Sequence, residues 1–339
     1  MLELWIRHEV RESERRCALS PADAGILIRS GVRITVEESP QRIYPLEDYV
    51  AQGCVTASAG DWVDAPESTV ILGLKELPEE PAQLRHRQVM FGHAYKGQPG
   101  AQRLLERFEA GGGLLLDLES LADEAGRRQA AFGYWAGFAG AALGVLQQHG
   151  DLHPPIAATT SAELAERLRK YRDRPARTAL VIGALGRSGR GAAAALVEAG
   201  VTPTGWDVAE TRNLDRDALL RHNLLVNCVL AGPGTEAFLQ RADLARPESQ
   251  LTCVVDVSCD PGSPWNALPL YDAVTTWDAP AITVGSAAVI AIDNLPSLLP
   301  RDATDTFSAD LTPHLRDLEG LTGAWQQCVT AYRTAVSAR

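Results

Sequence analysis

Two sets of residues in this chain of 339 have types and spacings that could do chemistry. The first is strung along the first third, mostly where apolar runs stop. Lys75-Glu76 ends one such run and His93-Ala94-Tyr95-Lys96 ends the next; Glu119, then Arg127-Arg128, come after a third, and Arg16 precedes the first helix signal. Strand ends of one parallel sheet line a single edge, so Lys75, His93 and Glu119 should converge there although they are far apart in sequence. An amine, an imidazole and a carboxylate in one place can exchange protons with a bound molecule. Singly, Lys75 reads as a solvated strand end and His93 as a hydrogen-bonded structural histidine. As a set facing a nucleotide-binding segment, they read as a site.

The second set is that segment. Thr178 to Ile182 is an apolar run of strand length, Gly183, Gly186, Gly189 and Gly191 follow, and Ala192 to Val197 is a run of strong helix formers. One glycine permits the turn, one lets backbone N–H groups approach a diphosphate, and one lets the helix pack closely on the strand. The open helix N-terminus then favours the anion. The spacing G-x-x-G-x-x-G-x-G departs from the usual dinucleotide pattern and is weak by itself. Support comes from Val201 to Asp207, a strand ending in an acid 24 residues after Gly183, where dinucleotide folds place the carboxylate that binds ribose hydroxyls. A carboxylate there repels a 2′-phosphate, so the expected cofactor is NAD. The alternative is an ordinary buried strand-turn-helix with no ligand.

The elements that must position these residues alternate. Strands are expected at Leu2 to His8, Val32 to Glu37, Thr69 to Leu74, Gln88 to His93 and Gly113 to Asp117. Helices fall between them: Ser20 caps one with Pro21 at its first position and Gly31 at its end, Pro45 to Gln52 is closed by Gly53, and Gly100 to Ala110 by three glycines. Phe132 to Gly144 is rich in Gly and Ala, which suits close backbone packing at a seam between two domains. A polar helix at Ala162 to Asp173 precedes the glycine turn. Continuous apolar runs at Leu224 to Val229, Leu251 to Val257 and Ala281 to Val284 read as parallel strands covered on both faces. The tail, Leu311 to Ala338, is helical and expected to return to the first domain. The fold class is therefore α/β: two Rossmann-like domains with parallel sheets and an interdomain active-site cleft. Residues 1–135 plus 305–339 form the substrate and catalytic domain, and residues 136–304 the dinucleotide-binding domain.

Composition excludes several classes. The net charge of −11, with basic residues dispersed among acids, argues against nucleic acid. No apolar run is long enough for a membrane span, and the N-terminus carries charges where a signal peptide needs an apolar core, so a cytoplasmic protein acting on small molecules is expected. Six scattered cysteines, with no C-x-x-C pair and no histidine at metal spacing, read as structural thiols, and no metal is expected. A monomer or small homo-oligomer fits.

Several of these stretches resemble the NAD-dependent, lysine-forming saccharopine dehydrogenases, relatives of the alanine dehydrogenases. The likeness runs through Arg16 to Pro21, Gly73 to Pro78, His93 to Lys96, Gly126 to Arg128, Ala131 to Gly133, Gly137 to Gly144, Ile182 to Arg187, Val255 to Ser258 and Ile292 to Arg301. It implies oxidative deamination of a secondary amine: saccharopine, NAD and water give L-lysine, 2-oxoglutarate and NADH. Lys75 and His93 match the acid–base pair of that family, and Glu76 and Glu119 match carboxylates that moderate the positive charge. Arg16 and an arginine of the Arg127-Arg128 turn match groups that hold substrate carboxylates, and Lys96 with Asp293 looks like an ion pair spanning the cleft. Gly183, Leu185, Gly186, Arg187, Ser188, Gly189, Asp207 and Val257 are the cofactor-binding candidates. Two departures stand out. Ser188 replaces a cysteine that in many relatives can pair with the one at the position of Cys228. The segment Gly285 to Val289 stands where relatives carry a longer loop near the substrate. An opine-type or related amino-acid dehydrogenase using another amine or keto acid is the nearest alternative, and a non-catalytic NAD-binding sensor is the alternative of another class.

Overall fold

The computed structural model describes residues 1–95, 98, 100–174 and 177–338. It divides into two compact units, Met1–Ala131 with Ala303–Arg339, and Phe132–Asp302. In the first unit β1 (Glu3–Ile6), α1 (Pro21–Arg29), β2 (Arg33–Glu37), α2 (Leu46–Val50), β3 (Val55–Ala57), β4 (Val70–Leu72), β5 (Arg87–Met90), α3 (Ala101–Gly111) and β6 (Leu114–Asp117) follow one another. The strands form one sheet in the order β3-β2-β1-β4-β5-β6, and every pairing is parallel. The order reverses between β1 and β4, the kind of position where open α/β sheets bind ligands at their carboxyl edge.

Local chemistry sets the helix ends. The Ser20 hydroxyl accepts from the Asp23 N–H at 3.2 Å and Pro21 occupies the first turn, so α1 starts there. Gly112, at φ +73°, ends α3 in the left-handed conformation that a residue with a Cβ adopts only at a cost. β3 was not expected from the sequence. It has three residues, lies at the sheet edge and leaves Val55 54% exposed, so it has no apolar run to announce it.

The second unit contains α4 (Gly133–Gln148), α5 (Ser161–Arg169), β7 (Ala179–Ile182), α6 (Arg187–Glu198), β8 (Thr204–Trp206), α7 (Val208–Thr211), α8 (Arg216–Leu220), β9 (Leu224–Asn227), β10 (Cys253–Asp256), β11 (Ile282–Val284) and β12 (Ala287–Ile290). Its sheet runs β11-β12-β10-β9-β7-β8. β7, β9 and β10 are buried at every residue, as continuous apolar runs require.

The late part of this sheet differs from expectation. β11 is not a parallel strand covered on both faces: it pairs antiparallel with β12 at the edge, and Ile282 is 40% exposed. The segment Gly285 to Val289, expected as a loop, is a turn at Gly285-Ser286, where Gly285 has φ +57°, followed by β12, which pairs parallel with β10. A hairpin needs only the turn residues, so a strand this short directly after one escapes a reading based on apolar runs.

The Gly/Ala-rich helix also differs. α4 lies inside the second unit and packs its backbone on α6. A Cβ on Gly137 would stand 1.8 Å from the Ser188 carbonyl oxygen, and one on Gly191 would stand 1.9 Å from that of Tyr134. The small residues therefore seat α6, the helix that follows the glycine turn.

α9 (Pro300–Leu315) and α10 (Trp325–Ser337) end the chain, and from Ala303 onward they belong to the first unit. The Cys17 N–H donates to Thr304 Oγ1 at 3.2 Å, the Ser20 N–H to Ser308 Oγ at 2.8 Å, and α10 packs on β6. Among the described residues no helix is long and apolar enough to cross a membrane.

Candidate active site

β1, β4, β5 and β6 are successive neighbours running the same way, so the residues that follow them share one edge of the first unit. Lys75 lies just past β4 and is half-buried. Its N–H donates to Glu9 Oε2 at 3.0 Å, and its carbonyl oxygen accepts from Arg7 Nη2. The next residue, Glu76, is exposed and takes both prongs of Arg11, at 2.9 and 3.1 Å. Partial burial pushes the Glu76 carboxyl up, but the Arg11 hydrogen bonds and the charges of Arg11 and Lys75 outweigh it and hold the group below the usual carboxylate range.

His93 follows β5 on a left-handed backbone, φ +48°, an uncommon conformation for a residue with a Cβ. Its ring stacks on Phe91, and Nδ1 lies 3.2 Å from Glu119 Oε1. A proton on Nδ1 would bond Glu119 and leave Nε2 to a ligand or water. Glu119 is fixed in turn: its N–H donates to Asp117 Oδ1 at 2.9 Å. Asp117 is buried, and burial together with the charge of Glu119 raises its carboxyl despite opposing bonds from the Glu119 and Gly92 amides.

Arg16 is fully buried and bonded two-pronged to Glu14, with Nε to Oε1 at 2.8 Å and Nη2 to Oε2 at 2.6 Å. Burial pushes the Glu14 carboxyl up, and Arg16 and the charge of Lys75 more than offset that, so it too sits below its ordinary range. Glu14 thus links Arg16 and Lys75 electrostatically. Arg127 lies in an exposed turn with Nε 2.9 Å from Asp123 Oδ2, and Arg128, also exposed, bridges to Ala122. Lys96, expected to pair with Asp293, lies outside the described residues; Asp293 is an exposed turn residue after Ile292 in the second unit. Arg7, Glu9, Glu14 and Asp117 were not singled out from sequence. Arg7 and Asp117 stand at the ends of apolar strand runs, and Glu9 and Glu14 lie in a charged loop, so none of their burial shows in the chain.

In the second unit Gly183 has φ +80°, and a Cβ there would stand 2.8 Å from Val229 Cγ2. A Cβ on Gly189 would stand 2.1 Å from the Gly183 carbonyl oxygen, so α6 sits as close to the end of β7 as only glycine allows. Gly186 precedes α6 without a capping side chain, an arrangement that suits an anion at the helix N-terminus. Asp207 directly follows β8, the neighbour of β7. Its Oδ2 accepts from the Leu185 N–H at 3.1 Å, and its Oδ1 from the Val208 N–H at 2.9 Å. Val257, half-buried, follows β10 and donates its N–H to the Asn227 carbonyl at 2.9 Å. Beside it the buried Asp256 accepts from Asn227 Nδ2, the Ser258 N–H and hydroxyl, and the Tyr271 hydroxyl at 2.7 Å, which holds the turn after β10 rigid. An open helix N-terminus, a glycine approach that a Cβ would fill and an adjacent carboxylate fit the diphosphate and ribose of a dinucleotide. Cys228 is a free thiol, as are the other five cysteines.

Residues 5–139 match the family described as alanine dehydrogenase/PNT, N-terminal domain. A saccharopine dehydrogenase (NAD(+), L-lysine-forming) of Neurospora crassa is 39% identical over 337 residues, spanning 93% of this chain and 91% of its own. The protein of that name from Schizosaccharomyces pombe is 38% identical with 98% of each chain covered, and that from Emericella nidulans is 36% identical with 99% and 97% covered. Among solved structures, an L-alanine dehydrogenase superposes with a TM-score of 0.70 over 98% of this chain and 94% of its own, and a transhydrogenase from Sinorhizobium meliloti with 0.71 over 97% of each, both at 16% identity. The solved structures share the fold; the sequence relatives, alike along nearly the whole length, show that this chain belongs to the NAD-dependent, lysine-forming saccharopine dehydrogenase family.

Proposed function

We propose that the protein is an NAD-dependent oxidoreductase that converts saccharopine and water to L-lysine and 2-oxoglutarate, and runs the reductive coupling in reverse. The observation that carries this reading is that Lys75, His93 and Glu119 follow the three neighbouring parallel strands β4, β5 and β6, in a chain 39% identical to a protein of that name. The first unit takes the substrate and the second the dinucleotide. When bound, NAD supplies the hydride acceptor. Gly183, Leu185, Gly186, Arg187, Ser188, Gly189 and Val257 hold it, and Asp207 takes the ribose hydroxyls.

The substrate amine must be neutral before hydride leaves the adjacent carbon, so one group must take its proton. Lys75, in its neutral amine form, does this from its strand end. Water then adds to the resulting imine carbon, and the adduct breaks to a keto acid and a primary amine. His93, with Nδ1 beside Glu119, takes a proton from that water through Nε2 and returns one to the departing nitrogen. An exposed arginine of the Arg127-Arg128 turn holds a substrate carboxylate, the task a planar two-pronged donor suits, and Arg16, whose Nε and Nη2 are already on Glu14, acts on a substrate carboxylate through its charge. Glu76 and Glu119 moderate the positive charge, and Lys96 and Asp293 contribute to substrate binding. A reducing compartment fits six unpaired thiols, and the cytoplasm is the proposed location.

The test is NADH consumption with 2-oxoglutarate or pyruvate and a panel of amines that includes lysine and ornithine, followed by the mass of the product. Lysine with 2-oxoglutarate should be the best pair. Preference for another pair would indicate the related opine-type activity, and NADH binding without turnover on any pair would indicate a sensor.

A further inference from the structure

We infer that Arg7 and Glu9 form a buried ionic clamp that positions Lys75, making both positioning residues of the reaction proposed above. Arg7 is 2% exposed and Glu9 5%, and Arg7 Nη1 lies 3.3 Å from Glu9 Oε2. Two charges taken out of water cost several kcal/mol each in desolvation, and an apolar pair of the same volume is often as stable or more so. Their hydrogen bonds show what they hold. Glu9 divides its oxygens between consecutive amides, Oε1 accepting from the Leu74 N–H at 2.6 Å and Oε2 from the Lys75 N–H at 3.0 Å. Arg7 donates Nη2 to the Lys75 carbonyl and Nη1 to the His8 carbonyl at 3.0 Å. Both backbone groups of Lys75 are therefore gripped by one ion pair.

The surrounding backbone makes room for the clamp and extends it toward His93. A Cβ on Gly73 would stand 2.3 Å from Arg7 Nε, so the guanidinium lies where any other residue would put its side chain. The Arg7 N–H continues the β1–β4 ladder to the Leu72 carbonyl at 3.0 Å. On the other side the Leu74 carbonyl accepts from the Phe91 N–H at 3.1 Å, two residues before His93. Lys75 and His93 are thus referred to one another through Leu74, and the clamp sets the Lys75 end of that link.

The proposal rests on Lys75 acting in proton transfer, and the experiment separates the two claims. In Glu9→Gln one acceptor becomes an N–H donor facing an amide. Gly73→Ala displaces the guanidinium while keeping both charges. Each change should lower kcat about 10- to 100-fold, the loss expected for misplacing a reacting group by about 1 Å, and should leave NADH affinity, read by fluorescence titration, unchanged. In a Lys75→Met background neither should lower the residual kcat by more than about twofold, because the group they position is gone. Equal fold-losses with and without Lys75, or unaltered kcat in both single variants, would overturn the clamp. If Glu9→Gln does not fold, the Gly73→Ala pair decides by the same comparison. Near-full kcat in Lys75→Met alone would instead sink the catalytic reading of Lys75, and the clamp's role with it.

Discussion

Gly189→Ala tests the dinucleotide site most directly. The added Cβ would stand 2.1 Å from the Gly183 carbonyl oxygen, 2.6 Å from Ala184 Cα and 2.8 Å from Ala184 C, where ordinary contact begins at 3.4 Å. All three are backbone atoms, so no side chain can swing away. Either α6 or the Gly183-Ala184 turn must retreat by about 1 Å, as the shortfall from ordinary contact requires. Overpacking of this kind costs about 1–3 kcal/mol, of which Ala returns at most about 1 kcal/mol through its better helix propensity. The same shift moves the first-turn amides away from the diphosphate. Losing one hydrogen bond to a charged group costs about 1.5–3 kcal/mol, which corresponds to NADH binding weakened about 10- to 150-fold. Fluorescence titration of NADH with a thermal melt in parallel measures both quantities. Gly320→Ala, where a Cβ meets nothing closer than 3.4 Å, should alter neither. Unchanged NADH affinity in a folded Gly189→Ala protein would show that the diphosphate does not bind at this turn.

Three further outcomes follow from the same geometry. Lys75→Met and His93→Gln should each lower kcat by about 10² to 10⁴, the usual contribution of a general acid–base group, with NADH affinity intact; near-full kcat across the pH range in either would make that residue structural. The unmutated protein should use NADH far better than NADPH, and Asp207→Ala should narrow the preference, so equal use of both cofactors by the unmutated protein would show that the carboxylate points elsewhere. Glu14→Gln should destabilise the fold by about 3–5 kcal/mol at neutral pH by leaving buried Arg16 without its counter-charge. Because the folded state holds the Glu14 carboxyl below its ordinary value of 4.5, its contribution is complete above that pH and disappears as pH falls through the lower folded value. Thermal melts from neutral to acid pH should therefore show a shallower acid decline in Glu14→Gln than in the parent, and parallel curves would refute the assignment.

Much of this was legible in the chain. Strands buried on both faces, such as Leu224–Asn227 and Cys253–Asp256, must be continuous apolar runs, and Ser20-Pro21 and the glycines after α3 mark helix ends through interactions within a few residues. Parallel strands also share a carboxyl edge, which is why Lys75, His93 and Glu119 could be grouped before any contact was known, and why Asp207 could be set beside the glycine turn. The tertiary structure decided whatever depends on a partner far away in sequence. The small-residue face of Gly133–Gln148 announced a close neighbour without saying that α6 was the neighbour. Short strands such as Val55–Ala57 and Ala287–Ile290 exist only because a neighbouring strand satisfies their backbone. Arg7, Glu9 and Glu14 look like surface charges in the sequence and become interior ones because Lys75 and Arg16 are folded against them. The paired charges are two residues apart in the chain, Arg7 with Glu9 and Glu14 with Arg16, but Glu9 is satisfied in the interior only by the amides of Leu74 and Lys75, which a distant segment delivers.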